Sequence, residues 1–237
     1  QGRRRVFDPE IVPLPIMTPA LSTETILARS AEHVRELLAG DSSGHDWWHI
    51  ERVRATALRI GRTEGADLFV VELAALLHDI ADWKFHDGDD SLGPRVADEW
   101  LANLAVERPT IDHVCEIIAG LSFKGAKVAT PMRTLEGRVV QDADRLDAIG
   151  AIGIARAFAY GGHKGQPLHD PQLAPQAHAT FADYKHQRTT TINHFHEKLL
   201  LLKDRMNTKT GRELALARHV FMREFLERFT DEWQARR

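Results

Sequence analysis

Apolar residues recur at helical spacing through most of the chain from Ser22 onward. Their three- and four-residue intervals predict a first helix that begins near Ser22, and Gly40 stands where a left-handed residue would end it. A second helix is expected over Asp46 to Gly61. A third, over Ala66 to Ile80, is apolar on almost every side, which is typical of a buried helix.

The same spacing continues towards the C-terminus, and no segment shows the period of two that is typical of strands. Further helices are predicted over Pro94 to Leu104, Thr110 to Leu121, Leu135 to Asp147, Ile149 to Tyr160, Gln176 to Lys203 and Lys209 to Gln234. Polar loops are expected over Asp82 to Gly93 and Gly161 to Pro175. The predicted fold class is therefore all-α.

Four prolines interrupt the beginning of the sequence, so residues 1–21 are expected to be irregular. Residues 22–237 then form one helical domain, because the chain has 237 residues and is 43% hydrophobic, enough for one sizeable core. The C-terminal helices are expected to belong to that domain.

The net charge and the number of cysteines limit the classes of function that fit the chain. A net charge of -3 gives no basic field, which argues against duplex nucleic acid as a partner but leaves room for a small phosphorylated ligand. The single cysteine, Cys115, is consistent with a reducing cytoplasm, where we expect the protein to act. No apolar run approaches the roughly 20 residues needed to span a bilayer, so no membrane association is expected. An oligomeric assembly remains open.

Two histidines and two aspartates stand out in the order His49, His78, Asp79, Asp142. His78 and Asp79 end the apolar third helix, where a buried polar pair needs partners. Imidazole and carboxylate together suit a divalent transition metal, which would satisfy both. A capped helix end is the alternative interpretation of His78 and Asp79 alone. The four residues together indicate a metal site and a hydrolytic reaction.

These residues carry a family resemblance. In order and helical context they resemble the signature of the HD-domain metal-dependent phosphohydrolases, an all-helical superfamily. The resemblance covers about Leu37 to Tyr160 and rests on the segments 45–53, 76–82, 121–125 and 141–147. Within the superfamily, these segments are similar to a bacterial subgroup that hydrolyses nucleoside triphosphates, preferably deoxynucleotides, to a monophosphate and pyrophosphate.

The resemblance implies that His49, His78, Asp79 and Asp142 bind one divalent ion. Manganese is the first expectation, with iron, cobalt, nickel, zinc or magnesium as alternatives. Two imidazoles and two carboxylates would leave positions open on an octahedral ion for water and a substrate oxygen. The expected substrate is a small phosphorylated molecule, in the first place a nucleotide. A nucleoside monophosphate, an alarmone or a sugar phosphate is the alternative.

Three further residues are predicted to take part in catalysis. Asp82 lies one turn beyond the His78 and Asp79 pair and is expected to orient or deprotonate water, although it can also be a solvated loop carboxylate. Lys124, beside Gly125, is expected to bind phosphate, mostly on the strength of the resemblance. Arg52 is expected to bind phosphate as well, the alternative being support of the ligand carboxylates. The same choice is left undecided for Arg145.

Two other functions compete with this interpretation. His45 and His49 resemble a distorted zinc-peptidase motif with Asp46 in place of the glutamate base, but an aspartate is shorter and no third ligand follows nearby. His45 is therefore expected near the phosphate or behind a ligand, with Asp46 capping the helix. A scaffold without catalysis is the other alternative, less favoured because all ligand positions are filled. Trp47 and Trp48 are interpreted as core residues rather than a base-stacking surface.

Overall fold

The computed structural model describes residues 21–40, 46–80, 91–121, 130–176 and 189–236. Within these ranges the regular structure is helical and contains no strand, which confirms the predicted all-α class. The α-helices are α1 (Thr23–Leu37), α2 (Trp47–Glu64), α3 (Leu68–Leu77), α4 (Leu92–Asn103), α5 (Arg108–Leu121), α6 (Leu135–Asp147), α7 (Gly150–His163), α8 (Thr191–Glu197) and α9 (Lys209–Trp233). A 3₁₀ helix covers Leu199–Arg205, between α8 and α9.

Side-chain caps determine where α1 and α2 begin. The Ser22 hydroxyl accepts the backbone N–H of Thr25 at 3.2 Å, and the Asp46 carboxylate accepts that of His49 at 2.9 Å. Both contacts satisfy donors that a helix leaves unpaired in its first turn. The predicted capping role of Asp46 is confirmed, and α2 starts one residue later.

The buried helix α3 forms the centre of the fold. It contacts α1, α2, α5 and α6, and its run from Val70 to Leu77 is buried except for Glu72. Glu72 accepts the guanidinium of Arg54 in α2 at 2.8 Å, so its charge is paired. A helix enclosed on this many sides must be apolar nearly all round, as predicted. In the described part of the chain, no helix is long and apolar enough to cross a membrane.

Helix α6 has the predicted bounds, and it packs against α2, α3, α5, α7 and α9. Its residues 139–143 are fully buried, including Gln141 and Asp142. Helix α9 folds back over α2, α6 and α7. The N-terminal turn of α2, the end of α3 and the last turn of α6 are thereby brought to one place in the molecule.

The prediction of one long helix over Gln176 to Lys203 was wrong for its described part. Residues 189 and 190 are not helical, and α8 begins only at Thr191. The Thr190 hydroxyl accepts the backbone N–H of Asn193 at 3.0 Å and so starts a new helix. Lys198 then leaves helical geometry at φ -138° and ψ -59°, which separates α8 from the 3₁₀ helix.

Only one of the two tryptophans at the start of α2 agrees with their interpretation as core residues. Trp47 is partly buried and packs against the core. Trp48 is 64% exposed, so its assignment to the core was wrong.

Candidate metal centre

Two histidine side chains meet between α2 and α3. His49 lies in the first turn of α2, which Asp46 caps, and His78 directly follows the last residue of α3. Their Nε2 atoms are 3.2 Å apart, and both residues are buried. The sequence places these residues 29 positions apart, so the fold itself creates the pair.

Two carboxylates complete the group. The Asp79 Oδ2 lies 3.4 Å from His49 Nε2 and 3.6 Å from His78 Nε2. The Asp144 Oδ1, from the last turns of α6, lies 3.7 Å from His49 Nε2 and 3.9 Å from His78 Nε2. The ligand atoms of His49, His78 and Asp79 all fall within 4.8 Å of one another.

The other nitrogen of each ring determines its tautomer. His78 Nδ1 lies 2.9 Å from the carbonyl oxygen of Ala75, which can only accept, so Nδ1 carries a hydrogen. His49 Nδ1 lies 2.7 Å from a carboxylate oxygen of Asp147 and likewise donates. In the neutral tautomers both Nε2 lone pairs therefore face the shared centre, as metal-binding histidines require.

Asp147 organises one side of this centre. It lies in the last position of α6 and is 4% exposed. Its carboxylate accepts His49 Nδ1, Arg52 Nε at 2.7 Å and Arg156 Nη1 at 2.7 Å. Burial by itself raises the pKa of Asp147, but the hydrogen bonds from His49 and Arg52 and the nearby charges hold that pKa well below its ordinary value. Asp147 is therefore ionised and keeps the His49 ring oriented.

Charge also controls the protonation of His49. Burial lowers its pKa, but the hydrogen bonds to Asp147 and Asp79 and the negative charge of Asp79 outweigh burial and raise it to about 9. Without a metal, a proton would thus hold these acceptor atoms together. A divalent cation can take over this role, and its binding would displace the proton.

The donor spacing fits such a cation. Bonds of about 2.0–2.2 Å from nitrogen and oxygen to a metal put neighbouring ligands roughly 3 Å apart. The distances from the two histidines to each other and to Asp79 lie between 3.2 and 3.6 Å. Two neutral imidazoles with two carboxylates also balance the charge of a dication. His49, His78, Asp79 and Asp144 are therefore the residues that could hold the metal.

Asp142 is not part of this group, which corrects its prediction as a ligand. One of its oxygens accepts the backbone and side-chain nitrogens of Asn207, and the other accepts the backbone N–H and hydroxyl of Thr208, at 2.8 to 2.9 Å. Thr208 in turn caps α9 through Gly211 N. Asp142 thus joins α6 to the start of α9, and both its carboxylate oxygens are occupied there.

The two predicted arginines also have structural contacts. Arg52 binds Asp147 through two nitrogens, a supporting contact of the kind expected as the alternative to phosphate binding. Arg145 is 9% exposed and donates to the Arg205 carbonyl and, at 2.9 Å, to the Thr130 hydroxyl. Burial lowers the pKa of Arg145. Arg145 therefore fastens α6 to neighbouring segments and does not point to the histidine pair.

His45, Asp82 and Lys124 lie outside the described residues, so their predicted roles stay predictions. Asp46 can be placed, and its carboxylate accepts the His49 backbone N–H as a helix cap. This contact gives Asp46 a structural role and removes the reason for assigning it the part of a peptidase base.

Comparisons with known proteins identify the family of the chain. The family profile described as HD domain matches residues 47–149, a range that contains His49, His78, Asp79 and Asp144. The protein YpgQ of Bacillus subtilis is 45% identical over 194 residues, which are 81% of this chain and 86% of YpgQ. The chain belongs to the HD-domain family.

Solved structures extend the match to the C-terminal helices. A protein from Lactobacillus plantarum superposes with a TM-score of 0.79 at 41% identity, covering 91% of this chain and 100% of that one. A Bacillus thuringiensis protein called an HD-superfamily hydrolase gives a TM-score of 0.71 at 42% identity, with 90% and 100% covered. A structure of YpgQ in complex with ADP gives 0.66 at 40% identity, with 85% and 97% covered. The HD-family chain is accordingly an HD-superfamily hydrolase.

Sequence reasoning missed Asp144, Asp147 and Arg156. The segment from Asp142 to Asp147 contains three aspartates, and helix geometry separates them into two faces. Asp144 and Asp147 are three residues apart and share one face, whereas Asp142 shares the other with Arg145. The sequence shows that Asp144 and Asp147 share a face, but it does not show which face of α6 meets the histidines.

Proposed function

We propose that this protein is a metal-dependent phosphohydrolase that cleaves nucleoside triphosphates to a monophosphate and pyrophosphate. The observation that carries the proposal is the convergence of four ligand side chains, two of them imidazoles whose tautomers are set by Asp147 and Ala75. The proposed ligands are His49, His78, Asp79 and Asp144. Manganese remains the first candidate among the divalent ions.

A divalent ion bound there would supply Lewis-acid polarisation of a phosphoryl oxygen and make water more acidic. The chain supplies the rest. Its ligand side chains fix the ion's position, while Arg52 and Arg156 place two positive charges against the single negative charge of Asp147. The two guanidinium groups, whose charges Asp147 and Asp46 offset in part, favour an anionic substrate and offset charge that develops on its phosphate groups. Asp82 and Lys124 are proposed to orient water and to bind phosphate.

Differences in side-chain exposure support one side of the centre as the entry for substrate. The side chains of Asp144 and Arg52 are 34% and 35% exposed, whereas those of His49 and His78 are 1% and 3% exposed. The centre is thus closed at the histidines and open towards Asp144 and Arg52. The structure of the relative YpgQ with ADP supports a nucleotide as the ligand that enters this opening.

The test is a panel of nucleotides and non-nucleotide phosphate esters with Mn²⁺, in which phosphate and pyrophosphate are measured separately. Release of pyrophosphate from deoxynucleoside triphosphates would support the proposal. Turnover of a sugar phosphate with inert nucleotides would favour the alternative substrate class. A protein that neither binds Mn²⁺ nor hydrolyses any compound would refute the enzymatic function.

A further inference from the structure

Trp48 is a large aromatic side chain exposed beside the metal centre. It is 64% exposed, the highest value among the large hydrophobic side chains of the described residues. Tryptophan is on average a highly buried residue, because its indole carries so much apolar surface. Exposure of this surface next to a site open to ligand needs an explanation that core packing does not provide.

The position of Trp48 in α2 places it at the open side of the centre. Trp48 immediately precedes His49, and Arg52 follows it by four residues, so Trp48 and Arg52 are neighbours on one helix face. Arg52 binds Asp147, which in turn accepts His49 Nδ1. Trp48 therefore belongs to the same edge as the positive charges that face an anionic substrate.

The spacing along this edge suits a nucleotide. One helical turn, about 5.4 Å, separates the backbone positions of the indole and the guanidinium. In a nucleotide, one sugar separates the first phosphate from the aromatic base. A phosphate directed to the metal centre past Arg52 would thus leave the base within reach of the indole face.

We propose that the Trp48 indole is the surface on which the nucleobase of the substrate stacks. The inference rests on the proposed function, because it assigns a base-binding position to that same site. Stacking accepts any base, since every base has a π face. Trp48 would therefore select nucleotides over phosphate esters without an aromatic ring, and it would distinguish only weakly between bases.

The experiment compares ADP, which has a base, with inorganic pyrophosphate, which has none. Calorimetry with Mn²⁺ would measure both affinities for the wild type, Trp48→Ala, Trp48→Phe and the control Trp233→Ala. Trp233 is also exposed, at 48%, but ends α9. We expect Trp48→Ala to weaken ADP binding about 5- to 100-fold, the effect of losing one stacked base. Pyrophosphate binding and Mn²⁺ binding should stay unchanged, and Trp48→Phe should recover most of the ADP affinity.

Three results would overturn the inference. Unchanged ADP affinity in Trp48→Ala would show that the indole does not contact the base, and an equal loss for ADP and pyrophosphate would give Trp48 a merely supporting role. A wild type that binds no ADP would also overturn it, even if another phosphate ester is hydrolysed. Failure of the proposed function is separate, because it is seen as absence of nucleotide turnover in the wild type with Mn²⁺.

Discussion

Replacing Asp142 and Asp144 by asparagine, one at a time, tests separately the helix junction and the metal centre that lies beside it. The two residues lie in the same segment of α6, but Asp144 faces the histidine pair and Asp142 faces the start of α9. Asparagine keeps the size of the side chain and removes its charge. We expect Asp144→Asn to lose Mn²⁺ affinity and Asp142→Asn to lose stability.

The size of each effect follows from the contacts. Removing a residue that only supports a ligand costs about 10- to 100-fold in metal affinity, so loss of the ligand Asp144 should cost at least about 100-fold. The Asp144 side chain is 34% exposed and lies 3.7 and 3.9 Å from the two imidazole Nε2 atoms, beyond hydrogen-bond distance, so its variant should melt close to the metal-free wild type. Asp142→Asn instead turns an amide nitrogen towards one of the two backbone N–H groups that Asp142 accepts, that of Asn207 or that of the buried Thr208, and leaves that group without an acceptor. The expected cost is about 2–4 kcal/mol in free energy of unfolding, which lowers Tm by about 4–16 °C.

The assay strips both variants and the wild type with a chelator, measures their thermal unfolding, and then titrates Mn²⁺ by calorimetry below the lowest Tm. Asp142→Asn should bind Mn²⁺ within a few-fold of the wild type while it remains folded. The reasoning is refuted if folded Asp142→Asn fails to bind Mn²⁺ while Asp144→Asn binds it normally, because that result would restore Asp142 as the ligand.

Three further predictions test the surroundings of the centre. Asp147→Asn should weaken Mn²⁺ binding about 10- to 100-fold by releasing the His49 ring. The control Asp98→Asn, at a half-buried aspartate of α4 that binds Arg108, should leave Mn²⁺ binding unchanged. Calorimetry measures both affinities, and equal affinities for the two variants would contradict the role of Asp147. Removal of Mn²⁺ by a chelator should lower Tm by about 5–11 °C relative to protein with Mn²⁺ at about 100 times its Kd. An equal shift of Tm in Asp144→Asn would argue against Mn²⁺ binding at this centre. His194 has its pKa lowered by burial from 6.5 to about 3, so the unfolded chain takes up the proton first as the pH falls. The contribution of His194 to the free energy of unfolding should therefore fall by about 1.4 kcal/mol per pH unit from pH 6.5 towards 3. Urea unfolding measures this effect, and stability should depend less on pH in His194→Gln than in the wild type.

Local patterns predicted most of the helices because each carries its own signals. The bounds of α6 agree fully with the apolar spacing, and the caps at Ser22 and Asp46 start α1 and α2 where polar residues precede apolar ones. The predicted helix over Gln176 to Lys203 failed for a physical reason. Thr190 can continue a helix or cap a new one, and its selection as a cap depends on the packing of α8, whose Phe195 is fully buried.

The candidate metal ligands likewise divide into residues that the local sequence predicts and residues that only the tertiary packing identifies. His78 and Asp79 could be predicted as candidate ligands because a buried polar pair at the end of an apolar helix needs partners, whereas His49 follows from the family resemblance. The choice between Asp142 and Asp144 depends on which face of α6 meets α2 and which meets α9. The sequence of that segment does not indicate which face packs against which helix. Arg52 is ambiguous for the same reason, since a guanidinium suits phosphate and carboxylate equally well and only the position of Asp147 decides.

The arrangement around α6 explains why one short helix carries two roles. Its Asp142 and Arg145 face bind the start of α9 and the 3₁₀ helix, and its Asp144 and Asp147 face lies at the metal centre. Because both faces belong to one rigid helix, a shift of α9 would move Asp144 and Asp147 relative to the histidines. The C-terminal helix therefore contributes to the geometry of a centre to which it supplies no ligand.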